Sequence, residues 1–389
     1  MKRFLLLISA MLSVITSKAH DVEIGGIYYN VDVINKTAEV TFGDNLYAGD
    51  VVIPASITYN RDLYVVNSIG TYAFRDCEKL DDVALPNSIL SIKDYSFRNS
   101  SIDSIHIPKS VKTVSNVAFL DCDSLQTIYW DIKSYYDLSD YSATTFYKIR
   151  NNIKRIYFGE EVEKIPQFLC YEMENLTLVS ISNNVTSIGY GAFKGCNNLK
   201  SLIIPENVVE IVGSAFEGCK GLSSIVIPNS VRTIGSSAFE YCSGLTSVTL
   251  GKNIEQIGTN AFSYCKNIDS VMIYSLLVPK AYENSFMNYN ATLYVPCEVY
   301  VDYFLDEVFG SFKYNICFTD ETDDNRPTSA EEVISDVIIS SKEGLISCLD
   351  SDFTIYNIAG QNVTSLNGNL THGVYVVKVD NDFVKVMVH

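Results

Sequence analysis

The chain has 389 residues, 47% of them hydrophobic, and its 46 acidic against 29 basic residues give a formal net charge of −17. That is enough apolar content for a sizeable core and enough length for several domains. The sign of the charge argues against nucleic acid and anionic membrane surfaces as partners, because phosphate neutralisation by cations supplies most of that kind of affinity; the acidity instead suits a soluble exported protein.

Residues 1–19 begin with Lys2 and Arg3, continue through an apolar run at 4–15, and end on Ser17-Lys18-Ala19. This is the layout of a secretory signal peptide, with cleavage expected before His20. A membrane-spanning helix needs about 20 apolar residues, so the run is too short to be an anchor. No other stretch is long enough, and the mature protein is expected to be exported without an integral membrane segment. Residues 20–50 alternate apolar and polar side chains around 28–33 and 38–42. They are expected to form a pair of strands that caps the N-terminal end of a stacked structure, since the open end of a stack needs a polar outer face.

From residue 51 to 317 one sentence repeats. It is clearest at 227–250, IPNSVRTIGSSAFEYCSGLTSVTL, and returns 23 positions earlier at 204–227 and 23 later at 250–273. The phenylalanine of its Ala-Phe pair falls at Phe74, Phe97, Phe119, Phe193, Phe216, Phe239 and Phe262, with weaker echoes at Phe146, Phe168 and Phe286. Ten turns of about 23 residues result, a period in the solenoid range. One such turn cannot bury enough apolar surface to offset its own ordering entropy; stacked turns cover each other's open faces. The β-branched run at 224–227 reads as a short strand, which Pro228 ends because proline cannot donate to a ladder. Strands one turn apart run parallel, so one long parallel sheet is expected along one side.

The pattern IPxSVxxIGxxAFxxCxxLxSVxIP resembles the BspA-type leucine-rich repeat of bacterial surface proteins. The resemblance covers roughly residues 52–316 and implies a leucine-rich-repeat solenoid that acts as a binding surface, in adhesion or protein recognition. Between 130 and 182 the pattern degenerates, and DIKSYYDLSDYSATTFYK lacks the IGxxAF core. A loop excursion or a bend is expected there.

Of the ten cysteines, Cys77, Cys122, Cys196, Cys219, Cys242 and Cys265 each stand three places after a ruler phenylalanine. That is a core position where a free thiol acts as a small hydrophobe, so a buried thiol ladder is expected rather than disulfides. No CxxC occurs, and the four histidines (His20, His106, His372, His389) are scattered, which gives no metal site and no cofactor. GxSxG, HExxH, Walker and GxGxxG motifs are absent, so no catalytic residue is assigned and no enzyme is expected. His106 reads as a surface histidine of a strand. DETDDN at 320–325 lacks the glycine and terminal glutamate of a calcium loop.

The informative positions are those that face outward between inward apolar residues of each strand. They run Ala84, His106, Tyr129, Tyr157, Ser180, Ile203, Val226, Thr249, Met272 and Tyr294. Two places earlier stand Asp82, Ser104, Thr127, Arg155, Leu178, Ser201, Ser224, Ser247, Ser270 and Thr292. The result is a hydroxyl stripe beside an aromatic and aliphatic one, with little charge. The expected ligand-binding face is Tyr129, Tyr157, Ile203, Val226, Thr249, Met272 and Tyr294; strand propensity alone would also favour such residues.

After Phe262 the pattern loosens. Residues 281–316 keep one strand near 293–295, then place Tyr300, Tyr303, Phe304, Val308 and Phe309 at helical spacing, a closing turn over the last coil. Residues 318–332 are acidic, polar and proline-containing, a linker. Residues 333–389 show short alternating strands divided by turn signals, read as a small antiparallel β-sandwich. FTIYNIAGQNVTSL, LTHGVYVVKV and VKVMV resemble the C-terminal sorting domain of type IX secretion, on Tyr356, Gly360, Gly373, Tyr375 and Lys385. That resemblance implies the secretion machinery as a partner and a cell-surface or extracellular location.

The expectation is a non-catalytic, adhesin-like protein whose sheet face recognises a host, neighbouring-cell or matrix protein. Alternatives are a structural surface-layer or matrix component and a carbohydrate-binding surface protein.

Overall fold

The computed structural model describes residues 20–133, 135, 144–282 and 284–318, and beyond them 332–334, 337–342, 345–348, 353–357, 363–367, 369–370, 373–379 and 382–388. The signal segment 1–19 and most of the linker lie outside the described residues.

Strands Val22–Ile24, Ile27–Asp32 and Thr37–Thr41 form an antiparallel meander. Gly25 and Gly26, at φ of 61° and 80°, make the first connection, a two-residue turn whose left-handed backbone glycine adopts without steric cost. The third strand then runs parallel to Asp62–Ile69, which is hairpinned with Ser56–Tyr59. Asp62–Ile69 also pairs with the two-residue strand Ser91–Ile92, so the terminal sheet leads directly into the stack of coils.

Each coil except that of residues 201–204 contributes one longer strand to a broad face. Ala48–Val52 pairs with Lys79–Ala84. Ser104–Ile107, Thr127–Trp130, Arg155–Phe158 and Leu178–Ile181 form a second parallel group. Ser224–Ile227, Ser247–Leu250, Ser270–Ile273, Thr292–Pro296 and Tyr314–Phe318 form a third. One continuous sheet was the expectation. The structure corrects it: residues 201–204 form no strand, although Leu202 and Ile204 stay buried as the alternation requires. The side-chain pattern of that coil is kept while its ladder pairing is lost. A second, narrower ladder turns the opposite corner of the coil, through Lys164–Ile165, Ser187–Ile188, Glu210–Ile211, Thr233–Ile234 and Gln256–Ile257. Together these give a solenoid of about ten turns with parallel sheets.

The core is a column of phenylalanines. Phe193, Phe216, Phe239, Phe262 and Phe286 stack with centroids 5.1–5.3 Å apart, and Phe74, Phe97 and Phe119 do the same at 5.0 and 5.2 Å. Offset-stacked rings in this range add about 0.5–1.5 kcal/mol per pair beyond area burial. The backbone supports the column. Phe193, Phe216 and Phe239 donate their N–H to Ala215, Ala238 and Ala261 of the next coil at 2.7–2.8 Å. Residues two before and two after the phenylalanine are left-handed, as at Ser237 and Tyr241 (φ 58° and 61°). Such residues cost about 1–2 kcal/mol each when they carry a side chain, but alternate N–H groups then point along the solenoid axis.

The six repeat cysteines are buried free thiols, as the ladder expectation has it, and so is Cys170; the structure gives a reason for cysteine in particular. Cys219, Cys242 and Cys265 donate their thiols to the carbonyls of Phe193, Phe216 and Phe239, one coil back, at 3.0–3.1 Å. Cys122 does the same to Phe97 at 2.8 Å. A small hydrophobe with one weak donor thus gives a second hydrogen bond to a buried carbonyl that already accepts a backbone N–H from its own coil. Burial pushes the Cys77 and Cys122 thiols up to about 11 and raises Cys196 and Cys242 as well, so they stay protonated.

One coil breaks the column. Phe168 is not a member: it sits at a left-handed turn position (φ 57°) and packs edge-on against Tyr171 and Tyr190. The place of the phenylalanine is taken by Cys170, whose N–H reaches the Ala192 carbonyl at 2.9 Å as Phe193 reaches Ala215. Leu169 replaces the alanine and Met173 the cysteine, both buried, and Phe158 enters from the sheet edge-on to Phe193 at 6.1 Å. Volume lost at one position is returned at three others, as close packing demands.

The stack closes with the helix Tyr300–Leu305, a 3-10 turn Phe309–Ser311 and the extra strand Tyr314–Phe318. Of the five residues expected to cover the last coil, Tyr303, Val308 and Phe309 are buried, Tyr300 is partly buried and Phe304 is exposed, while Phe312 joins the buried set. A disulfide, Cys297–Cys317, crosses this region, and no feature of the repeat pattern points to it. Beyond it, Glu332–Ile334, Val337–Lys342 and Leu345–Cys348 form one antiparallel sheet, and Phe353–Asn357, Gly373–Val379 and Asp382–Val388 another.

Candidate recognition face

The outward row is a real ladder. His106 is in register with Tyr129, Tyr129 with Tyr157, and Tyr157 with Ser180. Further on, Val226 pairs with Thr249, Thr249 with Met272, Met272 with Tyr294 and Tyr294 with Ile316. The hydroxyl row is also in register through Ser224, Ser247, Ser270 and Thr292. Strand spacing of about 4.8 Å brings like side chains into contact along each row.

Three of the expected features change. Met272 is only 4% exposed; it lies outside the phenylalanine core, flanked by Thr249 and the larger Tyr294, and offers little surface. Ile203 is exposed but stands in the unpaired segment between the two sheets, so it is not held by a ladder. The face is also not free of charge: Arg155 is exposed beside Thr127 and Leu178, and His106 is engaged with an aspartate.

What the structure brings together is a cluster on the N-terminal half. Tyr129 and Tyr157 stack with centroids 4.9 Å apart and planes 13° apart. His106 meets Tyr129 edge-on at 6.1 Å. His106 Nε2 lies 2.6 Å from Asp131 Oδ2, an exposed pair at the end of the next strand. A side chain at Gly159 would place its Cβ 1.8 Å from Asp131 Oδ1, so glycine there leaves room for the carboxylate. Lys109–Glu161 at 2.6 Å and Lys133–Glu163 at 2.9 Å border the same region. Asp131 is hard to find in the sequence because it stands where other coils carry Pro108, Pro205 or Pro228, a position that reads as a strand terminator. The signal that could have found it is the aspartate that replaces the proline.

On the C-terminal half, Val226 is exposed, and Thr249 and Tyr294 are half-buried. This half offers hydroxyls and small aliphatics with one aromatic. Chemically the face can hydrogen-bond and stack. Among the described residues, no cluster of three or more His, Cys, Asp or Glu could hold a metal ion. Nor is any helix among them long and apolar enough to cross a membrane. Of the residues read as a sorting signal, Tyr356, Gly373, Tyr375 and Lys385 lie in the last three strands, whereas Gly360 lies outside the described residues.

No curated protein matches the chain. Among solved structures it is similar to a leucine-rich repeat protein from Bacteroides ovatus, with 20% identity over 77% of this chain and 100% of the other, at a TM-score of 0.38. The pneumococcal vaccine antigen PcpA is 15% identical over 79% and 100%, at 0.37. A leucine rich cell surface protein from Faecalibacterium prausnitzii is 19% identical over 77% and 95%, at 0.32. The BspA type leucine rich repeat region matches in six copies over residues 51–169 and 163–292. Its match spans more than half of the chain, which belongs to the BspA type leucine rich repeat family.

Proposed function

We propose that this is an exported surface protein that binds a macromolecular partner, an adhesin-like role without chemistry of its own. The reading is carried by one observation, the in-register cluster of exposed His106 and Tyr129 with half-buried Tyr157 on an otherwise acidic molecule. Tyrosine suits recognition because it gives wide amphipathic contact at low rotamer cost, and Arg155 adds a planar donor fork beside it. The partner is a host, neighbouring-cell or matrix protein. Export is supported by the leader pattern of residues 1–19, and delivery by the C-terminal strands that resemble a type IX sorting domain. The surface setting fits the family and the similarity to a cell surface protein and a vaccine antigen.

The test is capture of immobilised matrix and cell-surface proteins by the mature chain, with the Tyr129→Ala, Tyr157→Ala double variant as comparison. Loss of capture with unchanged far-UV circular dichroism supports the face. Equal capture by both proteins removes it. Concentration-dependent self-assembly without capture would favour a structural surface component.

A further inference from the structure

The residue after each broad strand decides how that strand meets the coil before it. Asp131, Gly159, Ser182 and Tyr274 donate their N–H groups to the carbonyls of Ile107, Trp130, Phe158 and Leu250 at 3.0–3.2 Å, and the strands that they follow all pair backwards. Pro86, Pro108, Pro205, Pro228 and Pro296 take the same place and have no N–H to give. At Pro86 and Pro296 the backward register stops at Ala84 and Tyr294, two residues short. At Pro108, Pro205 and Pro228 there is no backward strand pairing among the described residues. The last two stand in successive coils. Residues 201–204 are therefore cut off from Leu178–Ile181 on one side and from Ser224–Ile227 on the other.

The packing loosens at this seam. Ser223 donates its N–H to the Lys200 carbonyl at 3.3 Å, whereas the equivalent bonds one and two coils on, Thr246 to Ser223 and Asp269 to Thr246, are 2.8 Å. Val179 and Leu202 are each 9% exposed, against 0–1% for Ile128, Ile156 and Val248 at the same inward position. Ile181 is only partly buried, whereas its counterparts Trp130, Ile227 and Leu250 are fully covered. Ser182 Oγ and Asn197 Oδ1, in the chain that joins Leu178–Ile181 to residues 201–204, are buried without a hydrogen-bond partner. That costs the closed form free energy, and water entering the seam would relieve it.

The rest of the same coil stays fastened. The narrow ladder runs through it from Ser187–Ile188 to Glu210–Ile211 to Thr233–Ile234. Phe193 and Phe216 stack 5.3 Å apart within it, each bonded through its N–H to the coil beyond. We propose that the coil of residues 193–216 is a hinge: the two halves of the solenoid rock about the narrow ladder and the phenylalanine column, opening and closing the broad face between Tyr157 and Val226. A single proline, as at Pro108, releases one junction; two in succession release both sides of one coil. Rocking changes the spacing between the aromatic cluster and the hydroxyl and aliphatic rows, so a partner that touches both halves selects one angle. Only this last consequence rests on the binding role proposed above.

Hydrogen exchange on the mature full chain reads the hinge without any ligand. The amides of residues 202–204 should exchange at least about tenfold faster than those of 128–130 and 248–250. Pro205→Ser with Pro228→Ser supplies the two missing donors in the form that Ser182 has, and should slow residues 202–204 about tenfold. Ser182→Pro is the converse: it removes the bond to Phe158 and should speed exchange at 179–181 about tenfold. Spin labels carried at Asp103 and Lys266 on thiol-independent side chains should give a distance distribution that narrows in the double serine variant and broadens in Ser182→Pro. Exchange at 202–204 as slow as at 128–130 would overturn the proposal. So would a double serine variant that folds, by far-UV circular dichroism, with parental exchange and distances. Should that variant not fold, Ser182→Pro decides alone, and parental exchange and distances there would overturn the hinge.

Discussion

The coil centred on Phe239 and the coil centred on Cys170 fill the same cross-section with different residues. The first uses Ala238, Phe239 and Cys242, all fully buried. The second uses Leu169, Cys170 and Met173, with Phe158 supplying the missing ring. The regular coils present serines, Val226 and Thr249 on the sheet face; the strands that lead into the irregular stretch present His106 and Tyr129, and the strand inside it presents Tyr157 and Arg155. Repetition of the consensus therefore reports the core. Departure from it coincides with the surface that has chemistry to offer a partner.

Several variants would break or sharpen that contrast. Phe239→Ala removes the centre of an unbroken stack and should cost about 3–5 kcal/mol in urea unfolding, whereas Cys170→Ala should cost about 1 kcal/mol. Equal losses would mean that the column is not what holds the regular coils. Cys170→Phe should overpack against Leu169 and Met173 and cost about 1–3 kcal/mol. Adding Leu169→Ala, Met173→Cys and Phe158→Ile should return most of it, since the combined variant restores the consensus at all four positions.

A pH scan addresses the thiol ladder. Burial raises the folded pKa of Cys77 and Cys122 to about 11, above the ordinary thiol value of about 8.5. The folded state therefore holds these protons more tightly than the unfolded chain. The stability this provides is complete below about pH 8.5 and is lost as pH rises through about 11. Melting temperature should fall between those limits, and Cys122→Ala should flatten the slope while lowering stability at neutral pH. The smallest expected effect on stability lies on the face. Tyr129→Ala removes one exposed stacking contact, worth about 1 kcal/mol or less.

Most of the fold was legible because its core positions recur. Phe193, Phe216, Phe239 and Phe262 fall 23 apart, and a period that regular has only stacked coils as its physical solution. The narrow ladder was not legible: Thr233–Ile234 and its equivalents are two residues long, too short for any alternation to show. Phe168 misled because aromatic identity marks the column elsewhere, whereas here backbone geometry places Cys170 on it. Cys297 and Cys317 lie outside the repeat position, and their pairing depends on a last strand, Tyr314–Phe318, that reads in the sequence as part of a helix-rich closing turn. On the face, alternation placed the outward rows correctly. Exposure was a different matter, since Met272 is covered by neighbours that alternation cannot weigh. Asp131 stands at the repeat position that other coils fill with proline, and only its place against His106 in the folded chain gives it a role.

The most direct test is quantitative capture of the mature chain on an array of extracellular-matrix proteins and cell-surface glycans, with parent and Tyr129→Ala, Tyr157→Ala proteins side by side. The expected result is saturable capture by a protein ligand that falls at least about tenfold in the variant, while the melting temperature of the two proteins stays nearly the same. Capture that is undiminished in the variant, or silence across the array from a well-folded protein, would contradict the role assigned to the sheet face.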